Sequence, residues 1–545
     1  MLAATGQNVI ANVRAPEHGL AEGVATAFPL ATDAGLEMLR VGGNAIDAAV
    51  AAAWALCVCE PSASGLGGQT VLLIHFADGR TAVVDGHSSA PAAASLETIA
   101  PWEQWRGYRS CTIPTTPATL DWVQRKYGSM DRRRILAPAV RIAETGYAVT
   151  ALQHRQARWV ADDLRASSAG QLFLRDGLPP PVGSTFRQSD LAATLRRLRE
   201  VGAEDFYRGG IAQQIANDMR RHGGLITERD LALCGPPVER APISTMYRGF
   251  QILTVPPPGG GVQLLLALNI LAQLATTGFA SCDEDWCRAI ALTTSAVFRI
   301  RDLEPAAATG PMSLMHHPLL SESCARRLAN EIAGGQGKPA PAGDAAEEPG
   351  DTTHLSVCDR YGNVVLLTQS IQSVFGAKVA HRDLGFLYNN YLCTCSRKPH
   401  PYALREGCRP RSNVSPTLVV EGGANAARPV LALGAAGSRR IISAILQVLS
   451  AVIDRGVDVA AAVSAPRVHG LRSRKVWIER PAASEALLEK LRTDGRQPII
   501  KSRLNFAMGA VQALQFFPDG RVRGVADPRR DGTADVLRWT KGGEK

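Results

Sequence analysis

Residues 333–350, AGGQGKPAPAGDAAEEPG, carry no hydrophobic period and are mostly Gly, Pro and Ala. Such a stretch has no apolar face to bury and reads as a mobile linker. At its end the sequence changes character. Thr353 to Val357 is strand-like, Asp359-Arg360-Tyr361-Gly362-Asn363 reads as a turn, and Val364 to Ser370 reads as a second strand. Any fold for this chain must therefore run a flexible segment directly into a strand. Gly350-Asp351-Thr352-Thr353-His354 lies at that junction.

The remaining patterns fill in layers around it. Ala31 to Arg40 predicts a helix with Leu36 and Leu39 on one face, stopped by Gly42-Gly43. Ala45 to Cys59 predicts a second helix, whose many alanines imply tight burial between layers. Val71 to Phe76 and Thr81 to Val84 form a hairpin across Asp78-Gly79. From about residue 117 to residue 300 the patterns are mostly helical, broken at Gly209-Gly210, with an apolar helix from Val262 to about Leu274. Two further hairpins join Thr417–Val420 to Pro429–Leu433 across Glu421-Gly422-Gly423, and Val511–Phe517 to Arg521–Val525 across Asp519-Gly520. An apolar helix spans Arg440 to Ile453 between them. At 545 residues the chain exceeds the size of one ordinary core. Antiparallel hairpins and helices in blocks predict two layers of sheet flanked by helices.

Composition removes several functions. With 46% hydrophobic and 20% charged residues the chain is globular. No run of about 18 apolar residues escapes charges or breakers, so no membrane helix is expected. The N-terminus lacks a basic region followed by an apolar one, so no secretory signal is expected and the protein is placed in the cytoplasm. The net charge of +10 is spread along the chain, aromatics are 6%, and the densest basic run, Arg132-Arg133-Arg134, sits in a helical pattern. No nucleic-acid partner follows from that. The 11 cysteines include the pairs Cys57/Cys59 and Cys393/Cys395, without histidines at zinc-ligand spacing. Reduced thiols are expected. His316-His317 has no carboxylate at ligand spacing and reads as surface or capping histidines. Neither metal nor cofactor is expected.

Three short motifs compete as chemistry. Gly86-His87-Ser88-Ser89-Ala90 approaches a nucleophile elbow but lacks the last glycine and the helix that should follow. Gly65-Leu66-Gly67-Gly68 has no Lys-Ser/Thr after it, so it is not a phosphate loop. The third is Thr352. A threonine hydroxyl is a poor nucleophile until a base takes its proton, and a threonine that becomes a chain N-terminus carries that base as its own amine. The amine has an ordinary pKa of about 7.7–8.0. Cutting before Thr352 requires a mobile segment upstream and a rigid strand downstream, and residues 333–354 supply both. On its own the pattern is weak, because Thr-Thr at a strand start is usually just β propensity.

The segment Asp351-Thr352-Thr353-His354-Leu355-Ser356-Val357 with Gly362-Asn363-Val364-Val365 resembles the start of the small subunit of the γ-glutamyltranspeptidases. The resemblance extends over nearly the whole chain. It includes Gly42-Gly43-Asn44-Ala45-Ile46-Asp47-Ala48-Ala49, Gly65-Leu66-Gly67-Gly68, Leu136-Ala137-Pro138-Ala139 and Pro256-Pro257-Pro258. It continues through Phe375-Gly376, Leu387-Tyr388-Asn389-Asn390, Ser415-Pro416-Thr417, Gly434-Ala435-Ala436-Gly437-Ser438 and Asp527-Pro528-Arg529. It implies the four-layer αββα sandwich of the N-terminal-nucleophile hydrolases, two stacked, mainly antiparallel sheets flanked by helices. It also implies a precursor that cuts itself between Asp351 and Thr352. Residues 1–351 and 352–545 would stay associated as one sandwich. Thr352 would be the nucleophile, Ser370 its supporting hydroxyl, and the backbone N–H groups of Gly437 and Ser438 the oxyanion hole. An acyl-enzyme on Thr352 would pass its acyl group to water or an amine acceptor.

The positions that hold a γ-glutamyl group in this family differ here. The carboxylate-binding arginine is matched by His87, the acidic residue that holds the α-amino group by Thr394, a glutamine by Tyr391 and an asparagine by Gln372. Of a double serine, Ser412-Asn413 keeps half. A neutral histidine does not rebuild a bidentate guanidinium clamp. His87, Arg411, Arg439 and Arg440 are candidates for the missing positive charge. The substrate expected is therefore a small amide with a γ-glutamyl-like or related carboxyacyl group and an altered pocket. Ordinary glutathione-type γ-glutamyl transfer is the alternative, and an unprocessed scaffold a second one.

Overall fold

The computed structural model describes residues 21–275, 283–301, 317–335, 350–422 and 427–537. Most of the linker, His316 and Gly423 of the third hairpin turn lie outside the described residues. The helix Glu322–Ala333 reaches the first residue of the linker stretch.

Two antiparallel sheets carry the structure. The first orders its seven strands Thr533–Leu537, Glu22–Thr26, Thr353–Cys358, Val364–Ser370, Gln69–His75, Thr81–Gly86 and Val238–Arg240. The second orders six: Val522–Ala526, Ala510–Phe516, Arg428–Ala436, Thr417–Glu421, Phe250–Thr254 and Ile243–Tyr247. Side chains alternate between two buried faces, as the period of a strand requires. From the first sheet Val71, Leu73, Val83 and Leu366 meet Leu253, Leu418, Ala432 and Leu514 of the second in one inner core. On the outer face of the first sheet, Leu72, Leu355, Val357 and Leu367 pack with helices Pro29–Arg40 and Ala45–Cys59. On the outer face of the second, Val419, Leu431 and Val511 pack with helices Gly261–Ala275, Asp283–Ile300 and Arg440–Ile453. The layers run helix, sheet, sheet, helix.

The alanine-rich helix is where sequence and packing meet most directly. All of Ala45–Cys59 is buried, and Asn44 starts it with a capping box shared with Asp47. Small side chains all round let the helix lie flat beneath the sheet. The mostly helical reading of residues 117–300 needs correction. Ile243–Tyr247 and Phe250–Thr254 form a hairpin there, turned by Arg248 (φ 54) and Gly249 (φ 87). Two residues at positive φ suit a tight hairpin, but Arg-Gly is not an Asn-Gly or Asp-Gly signal, so the turn is hidden in the sequence.

Residue 351 is no domain boundary. Strands from both sides of it are hydrogen-bonded neighbours in each sheet: Glu22–Thr26 beside Thr353–Cys358, and Phe250–Thr254 beside Thr417–Glu421.

Candidate active site

Strand register assembles the site. Thr353 pairs with Gln369, Ser370 with Gln69, and Thr70 with Gly86. One step along these ladders, Thr352, Ser370, Gln69 and His87 form a row across four adjacent strands. The row faces the second sheet, because Thr352 and the inward His354 share a face.

At one end Thr352 touches the peptide that precedes it. Its Oγ1 donates to the carbonyl oxygen of Asp351 at 2.6 Å. Ser370 Oγ donates to the same oxygen at 3.0 Å and stands 3.1 Å from Thr352 Oγ1. The Gln372 N–H donates to Ser370 Oγ at 2.8 Å, and the Gln372 carbonyl accepts from the Asp351 N–H at 2.9 Å. Asp351 is therefore held at its backbone N–H and at its carbonyl. Thr352 is 4% exposed.

Gly437 (φ 124) and Ser438 (φ 54) form a tight turn ahead of the helix Arg440–Ile453. A β-carbon on Gly437 would stand 2.8 Å from Gly509 Cα, so the turn needs a glycine for space as well as for φ. A β-carbon on Gly350 would stand 2.4 Å from Ser438 Cβ, which puts the turn directly against the segment entering Asp351. Gly67 and Gly68 serve the same site by close packing. Their β-carbons would stand 2.1 Å from the carbonyl oxygen of Leu387 and 2.5 Å from that of Ser370.

At the other end His87 is buried in a charged cluster. Its Nδ1 lies 2.7 Å from Asp85 Oδ1. Arg240 donates to Asp85 Oδ2 at 2.9 Å, and Arg409 to Oδ1 at 2.5 Å. Burial works against the Asp85 charge, but His87, Arg409 and Arg240 together hold its carboxyl well below the usual carboxylate range. An ionised Asp85 only accepts, so Nδ1 of His87 carries the proton. Burial holds the imidazole below its ordinary value, with Asp85 opposing the shift. His87 Nε2 is buried and has no hydrogen-bond partner among the described residues.

Tyr391 connects the two ends. It is 1% exposed, and its phenol interacts with the side chains of Ser370, Ser412 and Gln69. Burial pushes it up to about 12, so it stays a neutral phenol. Thr394 turns inward and donates to the Tyr391 carbonyl at 3.0 Å. Asn413 accepts from Arg301 at 2.8 Å, and Gln372 donates to Cys393 Sγ at 3.6 Å.

Other candidates fall elsewhere. Ser88 is tied to Gln69 Oε1 at 2.8 Å and accepts from Thr112 at 2.7 Å, so the serine at the elbow position is engaged. Asn389 and Asn390 brace the backbone, holding Gly67, Thr112 and Trp105 carbonyls. His317 is a capping rather than a surface histidine: it is buried, and its Nδ1 accepts from the Leu319 N–H at 3.3 Å at the start of the turn Pro318–Leu320. Arg411 reaches the Arg301 carbonyl at 3.4 Å, Arg440 is buried with its guanidinium 5.6 Å over the Trp477 ring, and Arg439 precedes that residue at the helix start. The arginines beside His87 are instead Arg240 and Arg409, which the sequence reading did not select. It also missed Arg530 and Glu60, which meet behind Asp351. Arg530 directly follows the motif Asp527-Pro528-Arg529, and that adjacency was the available signal.

The sandwich is that of the N-terminal-nucleophile hydrolases. A crystal structure of cephalosporin acylase from Bacillus halodurans matches it with a TM-score of 0.82 at 27% identity, covering 99% of this chain and 100% of the acylase. The sequence model of the gamma-glutamyltranspeptidase family matches residues 31–537, and the chain belongs to that family. It is 33% identical over 541 residues to the glutathione hydrolase proenzyme of Escherichia coli K12, covering 93% of this chain and 90% of the relative. It is also 33% identical over 541 residues to the acylase ACY 1 proenzyme of Pseudomonas sp. strain V22, covering 94% and 92%. The protein is thus an amide hydrolase or acyltransferase of the γ-glutamyltransferase family.

Proposed function

We propose that Thr352 is the nucleophile, first in a self-cleavage between Asp351 and Thr352 and then in acyl transfer from a small amide. The observation that carries this is the contact of Thr352 Oγ1 with the Asp351 carbonyl oxygen at 2.6 Å, with Ser370 Oγ on the same oxygen at 3.0 Å. When Thr352 Oγ1 attacks the carbonyl carbon it gives up that proton, and Ser370 Oγ remains as the hydroxyl donor to the negative charge that develops on the oxygen. Cleavage frees the Thr352 amine to act as base in later turnovers. The N–H groups of Gly437 and Ser438, ahead of a helix N-terminus, supply the oxyanion site of those turnovers. The fragments 1–351 and 352–545 remain one body because they share both sheets.

The acyl group lies along the row toward His87, under Tyr391 and beside Ser412, with Gln372, Thr394 and Asn413 at the margin. Nε2 of His87, like Gln69 Nε2 in the same row, is a buried polar atom with no hydrogen-bond partner among the described residues, which supports a ligand contact there. Arg409 and Arg240 beside it favour an acyl group with an anionic end, a γ-glutamyl-like or related carboxyacyl amide.

Intact mass followed by assay on γ-glutamyl and glutaryl anilides tests the reading. A fragment beginning at Thr352 and glutaryl turnover alone are expected for a rebuilt acyl pocket. Turnover of the γ-glutamyl anilide would make the protein an ordinary transpeptidase. A single uncut chain inactive on both would make it a scaffold.

A further inference from the structure

Asp351 is fully buried, yet its carboxylate is the most heavily bonded group at the junction. Oδ1 accepts from the Thr352 N–H at 2.8 Å and from Arg530 Nη2. Oδ2 accepts from Gln156 Nε2 at 2.8 Å and from Ser62 Oγ at 3.2 Å. Arg530 has no exposed side-chain surface, and its Nη1 donates to Glu60 Oε1 at 3.0 Å. A surface linker residue needs none of this. A residue whose carbonyl must be presented to a hydroxyl at a fixed angle does, because small errors in approach cost large factors in rate.

We propose that Arg530 is a positioning residue for self-cleavage, acting through the Asp351 side chain. The inference rests on the reading of Thr352 as the self-cleaving nucleophile. In the step itself the bond from Thr352 Oγ1 to the Asp351 carbonyl carbon forms and the Asp351–Thr352 C–N bond breaks. The hydroxyl proton ends on the Thr352 nitrogen, and water then hydrolyses the ester to an Asp351 carboxyl and a free Thr352 hydroxyl. Clamped from both sides, the Asp351 side chain fixes the carbonyl to which it is attached. Its Oδ1 also stands against the nitrogen that gains a proton, where a negative charge stabilises the ammonium.

The electrostatics fit a lock that operates before the cut. Burial pushes Glu60 up to about 8, Arg530 opposes the rise and Asp351 adds to it. Glu60 is thus pushed toward its neutral form, and the Arg530 guanidinium lies between it and Asp351.

A double-mutant cycle on the full chain tests this, read as the rate of fragment formation with thermal melting as a check on folding. Arg530→Gln should slow cleavage at least about tenfold, and Arg530→Lys should recover part of the rate because it keeps the charge. Asp351→Ala should also slow cleavage, and Arg530→Gln added to it should cost nothing further. Equal slowing by Arg530→Gln in both backgrounds would show a general structural role and overturn the proposal. If Arg530→Gln fails to fold, Asp351→Ala decides alone, since cleavage at the parent rate would mean that the clamp is irrelevant. A parent chain that is never cut would instead refute the nucleophile reading, leaving a distinguishable result.

Discussion

Gly434 lies flat against the ring of His354 across the inner space between the sheets. A β-carbon on Gly434 would stand 2.3 Å from the ring Cε1 and 2.5 Å from Nδ1. The ring cannot retreat easily, because Nδ1 is bonded to Thr368 at 2.8 Å and Nε2 to Ser356 at 3.2 Å. Gly434→Ala is therefore expected to destabilise the protein by about 1–3 kcal/mol, the usual cost of overpacking a fixed core. Denaturant unfolding measures it. An unchanged midpoint would show that the ring moves at no cost.

His354 also sets a pH response. Burial alone pushes it down to about 3, so the ring is neutral in the fold. Its unfolded value is about 6.5. The folded value lies below the unfolded one, so the unfolded chain binds more protons in that window. Stability is lost as pH falls from about 6.5 toward 3, with a slope of at most about 1.4 kcal/mol per pH unit from this group. His354→Gln should lower that slope, and identical pH profiles for parent and variant would refute the assignment.

These two residues show what the sequence could reveal. His354 lies in the motif that carries Thr352, and the fold uses it as a neutral strut between sheets. The hairpin that carries Ser370, the alanine-rich helix and the helix from Arg440 were legible because each follows a local period. Thr352, Ser370 and His87 were named through the family resemblance, but Gln69 and the order of the row were not, because Ser370 meets Gln69 only by pairing between strands from distant parts of the chain. The same holds for Arg240 and Arg409, which meet only at Asp85. Burial of Asp85 explains why two distant arginines converge there, and burial cannot be read from an isolated Asp.

Thr352→Ala removes the hydroxyl and should leave a single band at the full 58.0 kDa with no turnover. Thr352→Ser keeps a hydroxyl and should still yield two bands. Normal two-band behaviour from the alanine variant would place the nucleophile elsewhere.

Ser370 is predicted to matter through its proton. Ser370→Ala removes the hydroxyl donor that stays on the Asp351 carbonyl oxygen when Thr352 attacks, and removal of such a donor typically slows reaction about 10²- to 10³-fold. Ser370→Thr keeps the hydroxyl and should cleave within about tenfold of the parent. Time courses of fragment formation compare them, and equal rates for alanine and parent would remove Ser370 from the mechanism.

The acyl pocket makes the last test. His87 and Thr394 stand where γ-glutamyl-binding relatives are expected to carry an arginine and an acidic residue. Here His87 is bound to Asp85, and Thr394 is turned onto the Tyr391 carbonyl. Neither offers a γ-glutamyl head group the paired charges that hold its carboxylate and ammonium. His87→Arg combined with Thr394→Asp should raise the ratio of γ-glutamyl to glutaryl anilide turnover, in kcat/KM, by at least about tenfold, or ~1.4 kcal/mol of discrimination. Asp85 already anchors Arg240 and Arg409, so an arginine at position 87 has a carboxylate to orient it. His87→Ala serves as the control. It should lower kcat/KM for the preferred acyl group and leave the extent of self-cleavage unchanged, because His87 lies at the opposite end of the row from Thr352. A ratio that does not move in the double variant, with both fragments present, would show that the head group is recognised outside the row.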